Sequence, residues 1–179
     1  RQKLRTAQRV AARDPFFAGN VDALIAAQPK DLEASEIEVR LGATWFDKKY
    51  IEQFMYETFE TPRYLRGQIE ISYVPYTAEW QVSRKSMVRY NDVAAFTTYG
   101  TDRASAYRLL EDALNLRDIR IYDTIEDADG RERRVLNAKE TTLAAQKQQL
   151  IRDAFKDWIW KDPERRETLV RQYNEEMNS

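Results

Sequence analysis

Histidine and cysteine are both absent from the 179 residues of this chain. Their absence removes the commonest general base, the thiol nucleophile, any disulfide and two principal zinc ligands. Chemistry would fall to carboxylates, Lys, Ser, Thr and Tyr. Glycine is scarce too, and its five positions (19, 42, 67, 100 and 130) are widely spaced, with none preceding Lys. A phosphate-cradling Gly-x4-Gly-Lys-Ser/Thr loop and a G-x-G-x-x-G turn are therefore excluded. No Asn-Pro-Pro-aromatic motif is present, and no cofactor is implied. No apolar run approaches the roughly 18–20 residues that span a bilayer. The basic N-terminus has no apolar stretch behind it, so it lacks the pattern of a signal peptide.

A large excess of positive charge is missing as well. Lys and Arg total 29 against 30 acids, a net charge of −1. Any contact with nucleic acid must therefore come from a local patch. What is present is a globular composition: 42% hydrophobic, 33% charged and 12% aromatic, with four Trp and ten Tyr. That length and content suffice for a core without metals or disulfides. The chain begins at Arg1 without Met and ends at Met177-Asn178-Ser179, which reads as a piece of a longer protein. Residues 1–14 are expected to finish an upstream helix or linker, and 15–179 to form a single α+β domain.

Periodicity predicts the elements. Leu4, Ala7 and Ala11 keep helical spacing until Asp14-Pro15, and a helix over 17–27 closes at Pro29. Ile37–Leu41 alternates apolar and charged residues, as a short strand does. Asp47 caps a helix over 48–59 with Tyr50, Ile51, Phe54, Met55 and Thr58 on its apolar face. Residues 68–75 and 79–84 form a hairpin. Thr101 or Asp102 caps a helix over 103–115, with Asn115 at its left-handed end. A strand ends near Asp123, and Asp129-Gly130 turns it back. Asn137 opens a long helix, roughly 35 Å, striped by Leu143, Leu150, Ile151, Ala154, Phe155, Trp158 and Ile159. Asp162-Pro163 starts a final helix, with Leu169, Val170 and Tyr173 on its buried side. The expected class is α+β: helices packed on short antiparallel β-hairpins, with a long C-terminal helix followed by a final one.

Three kinds of site come into question. Asp123, Glu126, Asp127, Asp129 and Gly130 resemble half of an EF-hand loop, but aligning Gly130 at position six puts Ile125 and Leu136 at ligand positions. A polar hairpin turn is the better reading, and no metal site is assigned. Carboxylate pairs such as Glu36/Glu38 and Glu70/Glu79 do not differ from solvated strand faces. Basic clusters lead further. Arg84, Lys85 and Arg89 form one, and Arg131, Arg133, Arg134 and Lys139 form another around the second hairpin. Such groups bind phosphates without regard to sequence. Interleaved acids such as Glu132 favour a solvated surface instead, and at 131–134 the two readings stand level. Trp158 and Trp160 lie about 200° apart on one helix, so one of them is expected at the surface or under another segment.

Four stretches together carry a resemblance: EIEVRLGATWFD (36–47), YIEQFMYETFETP (50–62), YGTDRASAYRLLEDALNLRDIRIYDT (99–124) and TTLAAQKQQLIRDAFKDWIWKDPERRETLVRQYN (141–174). They resemble an internal region of large bacterial proteins of phages and mobile elements. Those proteins join an adenine-specific DNA methyltransferase to a superfamily II helicase of the chromatin-remodeller type. The resemblance implies a bacterial, cytoplasmic parent that works on DNA, with this segment lying between its two engines. None of the family's catalytic motifs falls on a position of this chain. The expected function is a non-catalytic accessory domain, with the flanking helicase and methyltransferase domains as partners. Arg84, Lys85, Arg131, Arg133 and Arg134 are the candidates for contact with the DNA backbone. A scaffold docking neighbouring domains is the alternative, followed by a carboxylate-dependent enzyme.

Overall fold

The computed structural model describes residues 30–178. The helices expected before Pro29 lie outside the described residues. The chain divides into two compact units, one of residues 39–162 and one that includes residues 30–38 and 163–178.

The larger unit holds α1 (Lys49–Thr58), β1 (Ile71–Val74), β2 (Glu79–Val82), α2 (Ala106–Leu114), β3 (Tyr122–Glu126), β4 (Glu132–Leu136) and α3 (Ala138–Lys161). The strands form two separate antiparallel hairpins, β1–β2 and β3–β4. The class is α+β.

α1 starts where Asp47 accepts a hydrogen bond from the Lys49 amide at 2.9 Å. Its buried side chains are Tyr50, Ile51, Phe54 and Met55, a helical stripe. Phe54 is the hub of the aromatic core: its ring lies 5.1 Å from Phe155, 5.7 Å from Trp158 and 6.1 Å from Phe59. These are edge-on contacts, which suit the quadrupoles of the rings. Phe59 in turn meets Tyr107 edge-on at 5.2 Å. Tyr107 is fully buried, and its hydroxyl shares a 2.6 Å hydrogen bond with Thr61. Burial pushes the Tyr107 phenol up to about 12.

The first hairpin is embedded. Ile71, Trp80 and Val82 are buried, and Trp80 packs on Tyr73 at 4.8 Å. Two strands alone leave outward-pointing backbone groups without ladder partners. Helix side chains satisfy them here. Asn115 accepts from the Trp80 amide at 2.8 Å and donates to the Trp80 carbonyl at 2.9 Å. Glu111 accepts from the Val82 amide at 2.8 Å. On the other edge Glu52 accepts from the Ile71 amide, and Lys48 donates to the Ile71 carbonyl.

Several expectations need correction. Ile37, Val39 and Leu41 are buried and their neighbours are not, as the alternation requires, but the segment joins no ladder. α2 begins at Ala106, and its cap is Ser105, which accepts from the Arg108 amide at 3.3 Å. Thr101 closes a separate small turn, accepting from Arg103 and Ala104. The left-handed residue after α2 is Leu116 (φ 57°), while Asn115 keeps φ −87° and acts through its side chain. Ile119 and Ile121 are buried, but pairing begins only at Tyr122.

The stripe of α3 is also rotated. Asn137 does cap it, accepting from Glu140 at 3.0 Å. The buried residues are Ala144, Gln148, Ile151, Phe155 and Ile159, whereas Leu143 and Leu150 are 41% and 43% exposed. Gln148 takes the place of an apolar residue because Ile119 and Arg117 need backbone partners there. It accepts from the Ile119 amide at 3.1 Å and donates to the Arg117 carbonyl at 2.9 Å. Trp158 is half-buried and donates its indole N–H to Glu57.

In the other unit, α4 runs Pro163–Glu176, with proline at its first position. Leu169 is buried, and Asn174 is buried in place of the expected Val170 and Tyr173, which are half-buried. Asn174 repeats the device of Asn115, accepting from the Leu32 amide at 2.7 Å and donating to the Leu32 carbonyl at 2.9 Å. Among the described residues no helix is long and apolar enough to cross a membrane.

Candidate functional site

After β2 the chain must leave the sheet quickly. Ser83 holds it there, accepting from the Glu70 amide and donating to the Gln68 carbonyl. The next residue, Arg84, adopts the left-handed conformation (φ 52°, ψ 36°), which is unfavourable for a residue with a Cβ. A 3-10 turn, Lys85–Met87, follows. Residues 84–88 thereby form one wall of an open groove of about 530 Å³. The opposite wall is the turn at Thr101–Ala104 and the start of α2, which bring Arg103 and Arg108 to it.

Four cations line this groove: Arg84, Lys85, Arg103 and Arg108. Two are held by carboxylates. Lys85 pairs with Glu111 at 2.6 Å, and Arg103 pairs with Asp123 at 2.8 Å. The other two form no ion pair among the described residues. Arg84 donates to the Gln68 side-chain oxygen at 3.4 Å, and Arg108 donates to the Arg103 carbonyl at 3.2 Å. Both acceptors are uncharged, so both guanidiniums keep capacity for an anion. Asp102 is the acid among the lining residues. The N-terminus of α2 at Ser105 opens on the same groove and adds its dipole to the positive potential. Burial raises the carboxyl of Asp112 above its ordinary value, and the charges of Arg108 and Arg117 partly offset that.

The second set of candidates is arranged differently. β3 and β4 pair Ile125 with Arg133 and Thr124 with Arg134. Side chains alternate across a strand, so Arg133 and Arg134 face opposite sides of the hairpin. Arg134 lies over the Tyr122 ring at 4.1 Å, a cation–π contact. Arg131 sits in the turn, its amide donating to Asp127 at 3.1 Å. Asp127 also accepts from the Asp129 amide, so this acidic loop organises its own backbone. Among the described residues no cluster of three or more acids could hold a metal ion.

The structure thus joins Arg84 and Lys85 to two residues that sequence reasoning missed. Arg103 and Arg108 bracket the Ser105 cap, and placing the cap at Thr101 or Asp102 concealed that pairing. The candidates Arg131, Arg133 and Arg134 do not join the groove. They stand on the hairpin whose root Arg103 grips, through Asp123 and the Tyr122 carbonyl at 2.9 Å.

A family model described as a domain of unknown function (DUF8437) matches residues 40–179. The chain belongs to that family. The matched span takes in both hairpins, all four helices α1–α4 and every residue of the groove. No curated protein and no solved structure matches the chain.

Proposed function

We propose that this chain is a non-catalytic accessory domain of a DNA helicase–methyltransferase protein and that it grips the phosphodiester backbone through the groove of Arg84 and Arg108. One observation carries this reading: two guanidiniums that form no ion pair among the described residues share one groove with two further cations. Phosphate oxygens are the acceptors that such groups bind best, and they bind sequence-independently. The overall charge of −1 is compatible with this, because the positive potential is local. The resemblance of four stretches to the segment between a methyltransferase and a helicase supplies the DNA context.

The test is a titration of labelled duplex DNA at two salt concentrations. Arg84→Gly combined with Arg108→Ala is expected to weaken binding at least tenfold and to reduce the salt slope by about one per lost contact. Glycine is chosen at position 84 because it relieves the left-handed backbone, so lost affinity cannot be blamed on lost folding. Unchanged affinity and slope would remove the groove from the account. Arg133→Glu with Arg134→Glu tests the hairpin in the same way.

A second reading, a scaffold docking a neighbouring domain of the same parent, has one observation in its favour. Leu143 and Leu150 stand exposed one heptad apart on α3, and Leu136, at the end of β4, is exposed as well. Leu143→Ser with Leu150→Ser would abolish co-purification with the flanking domains under this reading and leave DNA binding intact.

A further inference from the structure

The wall of the groove is interrupted by a projecting turn. The chain leaves the groove at Val88, turns at Arg89–Asp92, and rejoins it at Phe96. The turn is closed by the Asp92 amide donating to the Arg89 carbonyl at 3.0 Å. Its far side is fixed by Asp92, whose carboxylate accepts from the Ala95 amide at 3.0 Å at the head of a π-helical turn, Ala94–Thr98. Val88, Ala94 and Ala95 are buried, so both feet of the turn are anchored in the core. At the tip stands Tyr90, 88% exposed.

A tyrosine so exposed gains little from the core, and its ring is accessible to a planar partner. Tyr90 follows Val88, a residue of the groove wall, by two positions, at most about 7 Å of extended chain, and that groove offers guanidiniums for phosphate. An aromatic platform fixed beside a cationic track is the combination that holds strands whose bases are unstacked. A duplex offers phosphates but keeps its base faces covered.

We infer that Tyr90 is a base-stacking residue and that the groove takes single-stranded nucleic acid in preference to duplex, the phosphates on Arg84 and Arg108 and a base on the Tyr90 ring. This rests on the phosphate-binding reading of the same groove and specifies its substrate class. Arg89, beside Tyr90 in the turn, adds a cation on the approach.

The experiment measures fluorescence anisotropy of a labelled 20-nucleotide oligothymidylate and of a 20-base-pair duplex with the full chain. Tyr90→Ala is expected to weaken oligothymidylate binding roughly tenfold while leaving duplex binding within twofold. Tyr90→Phe, which keeps the ring, should retain the affinity. Tyr76→Ala is the control, because Tyr76 is 98% exposed at the β1–β2 turn and none of residues 74–78 lines the groove, whereas Val88, two residues before Tyr90, does. Three outcomes overturn the stacking role: unchanged oligothymidylate binding by Tyr90→Ala, an equal loss on duplex, or an equal loss from Tyr76→Ala. If Arg84→Gly with Arg108→Ala still weakens both ligands in those cases, the phosphate groove survives without the platform. If the chain binds neither ligand in a salt-dependent way, both readings fall together.

Discussion

The two hairpins are built from the same local motif and end in opposite environments. In β1–β2 the inward residues Ile71, Trp80 and Val82 are buried, while every residue of β4 is exposed. The difference lies in what meets the outer edges of the strands. Glu52 in α1's first turn and Lys48 just before it engage β1, and Glu111 of α2 and Asn115 at its C-terminal cap engage β2. Those side chains do the work of missing strands, so the ladder can be enclosed without stranded polar groups. The β3–β4 hairpin is held at its root. Arg103 binds Asp123 and the Tyr122 carbonyl, Asn137 binds Asp123 at 2.9 Å, and Thr141 accepts from the Ile121 amide at 2.9 Å. Beyond that root its edges face water, and charged residues such as Glu132, Arg133 and Arg134 blunt them.

If this contrast is right, equivalent truncations must differ greatly in cost. Trp80→Ala is expected to destabilise by about 3–5 kcal/mol, the range for a large aromatic removed from a core. Ile125→Ala, on the exposed hairpin, should cost under about 1 kcal/mol. Urea denaturation of both variants checks this, and similar costs would erase the distinction between the hairpins. A sharper version removes the edge caps themselves. Asn115→Ala strands the Trp80 amide and carbonyl together, an expected loss of about 2–3 kcal/mol. Asn137→Ala loses a helix cap and one bond to the second hairpin, for about 1 kcal/mol. Reversal of that order would mean that the root bonds of the second hairpin matter more than the enclosed edges of the first.

What was legible in the sequence was whatever is decided within a few residues. Asn137, Asp162-Pro163 and Asp129-Gly130 all mark the boundaries that their local chemistry suggests, while the cap position of α1 falls on Lys48, one residue beyond the expected Asp47. What escaped is decided by distant partners. Asn115 acts on a residue 35 positions away, and Gln148 on one 29 positions away. A polar side chain that completes a remote backbone leaves no periodic trace. For the same reason the phase of α3 differs from its apolar periodicity, which favours Leu143 and Leu150 over a buried glutamine. The groove was half visible: Arg84 and Lys85 are adjacent in sequence, but Arg103 and Arg108 reach it only because the cap falls on Ser105.

The smallest expected effect contrasts two carboxylates by their pH response, one half-buried on α2 and one at the root of β3. Asp112, in the last turn of α2, has its carboxyl raised above 3.8, chiefly by burial. A raised carboxyl disfavours the ionised folded state, so its cost is fully present above the folded value and vanishes as pH falls below 3.8. Asp123, at the root of β3, is lowered by hydrogen bonds from Arg103 and Asn137, the Arg103 bond being the larger cause. Its stabilisation is present above 3.8 and is lost as pH falls through the lower folded value. Asp112→Asn should therefore raise stability at pH 7, by about 0.3–1 kcal/mol for relieving a negative charge at a helix C-terminus, and give no gain near pH 3. Asp123→Asn should lower the melting temperature at pH 7, with the deficit shrinking as acid removes the charge from the unsubstituted chain. Melting curves of the two variants at pH 7 and pH 3 decide it. The same sign of change for both at neutral pH would show that burial of Asp112 and the hydrogen bonds to Asp123 do not act in opposite directions on stability.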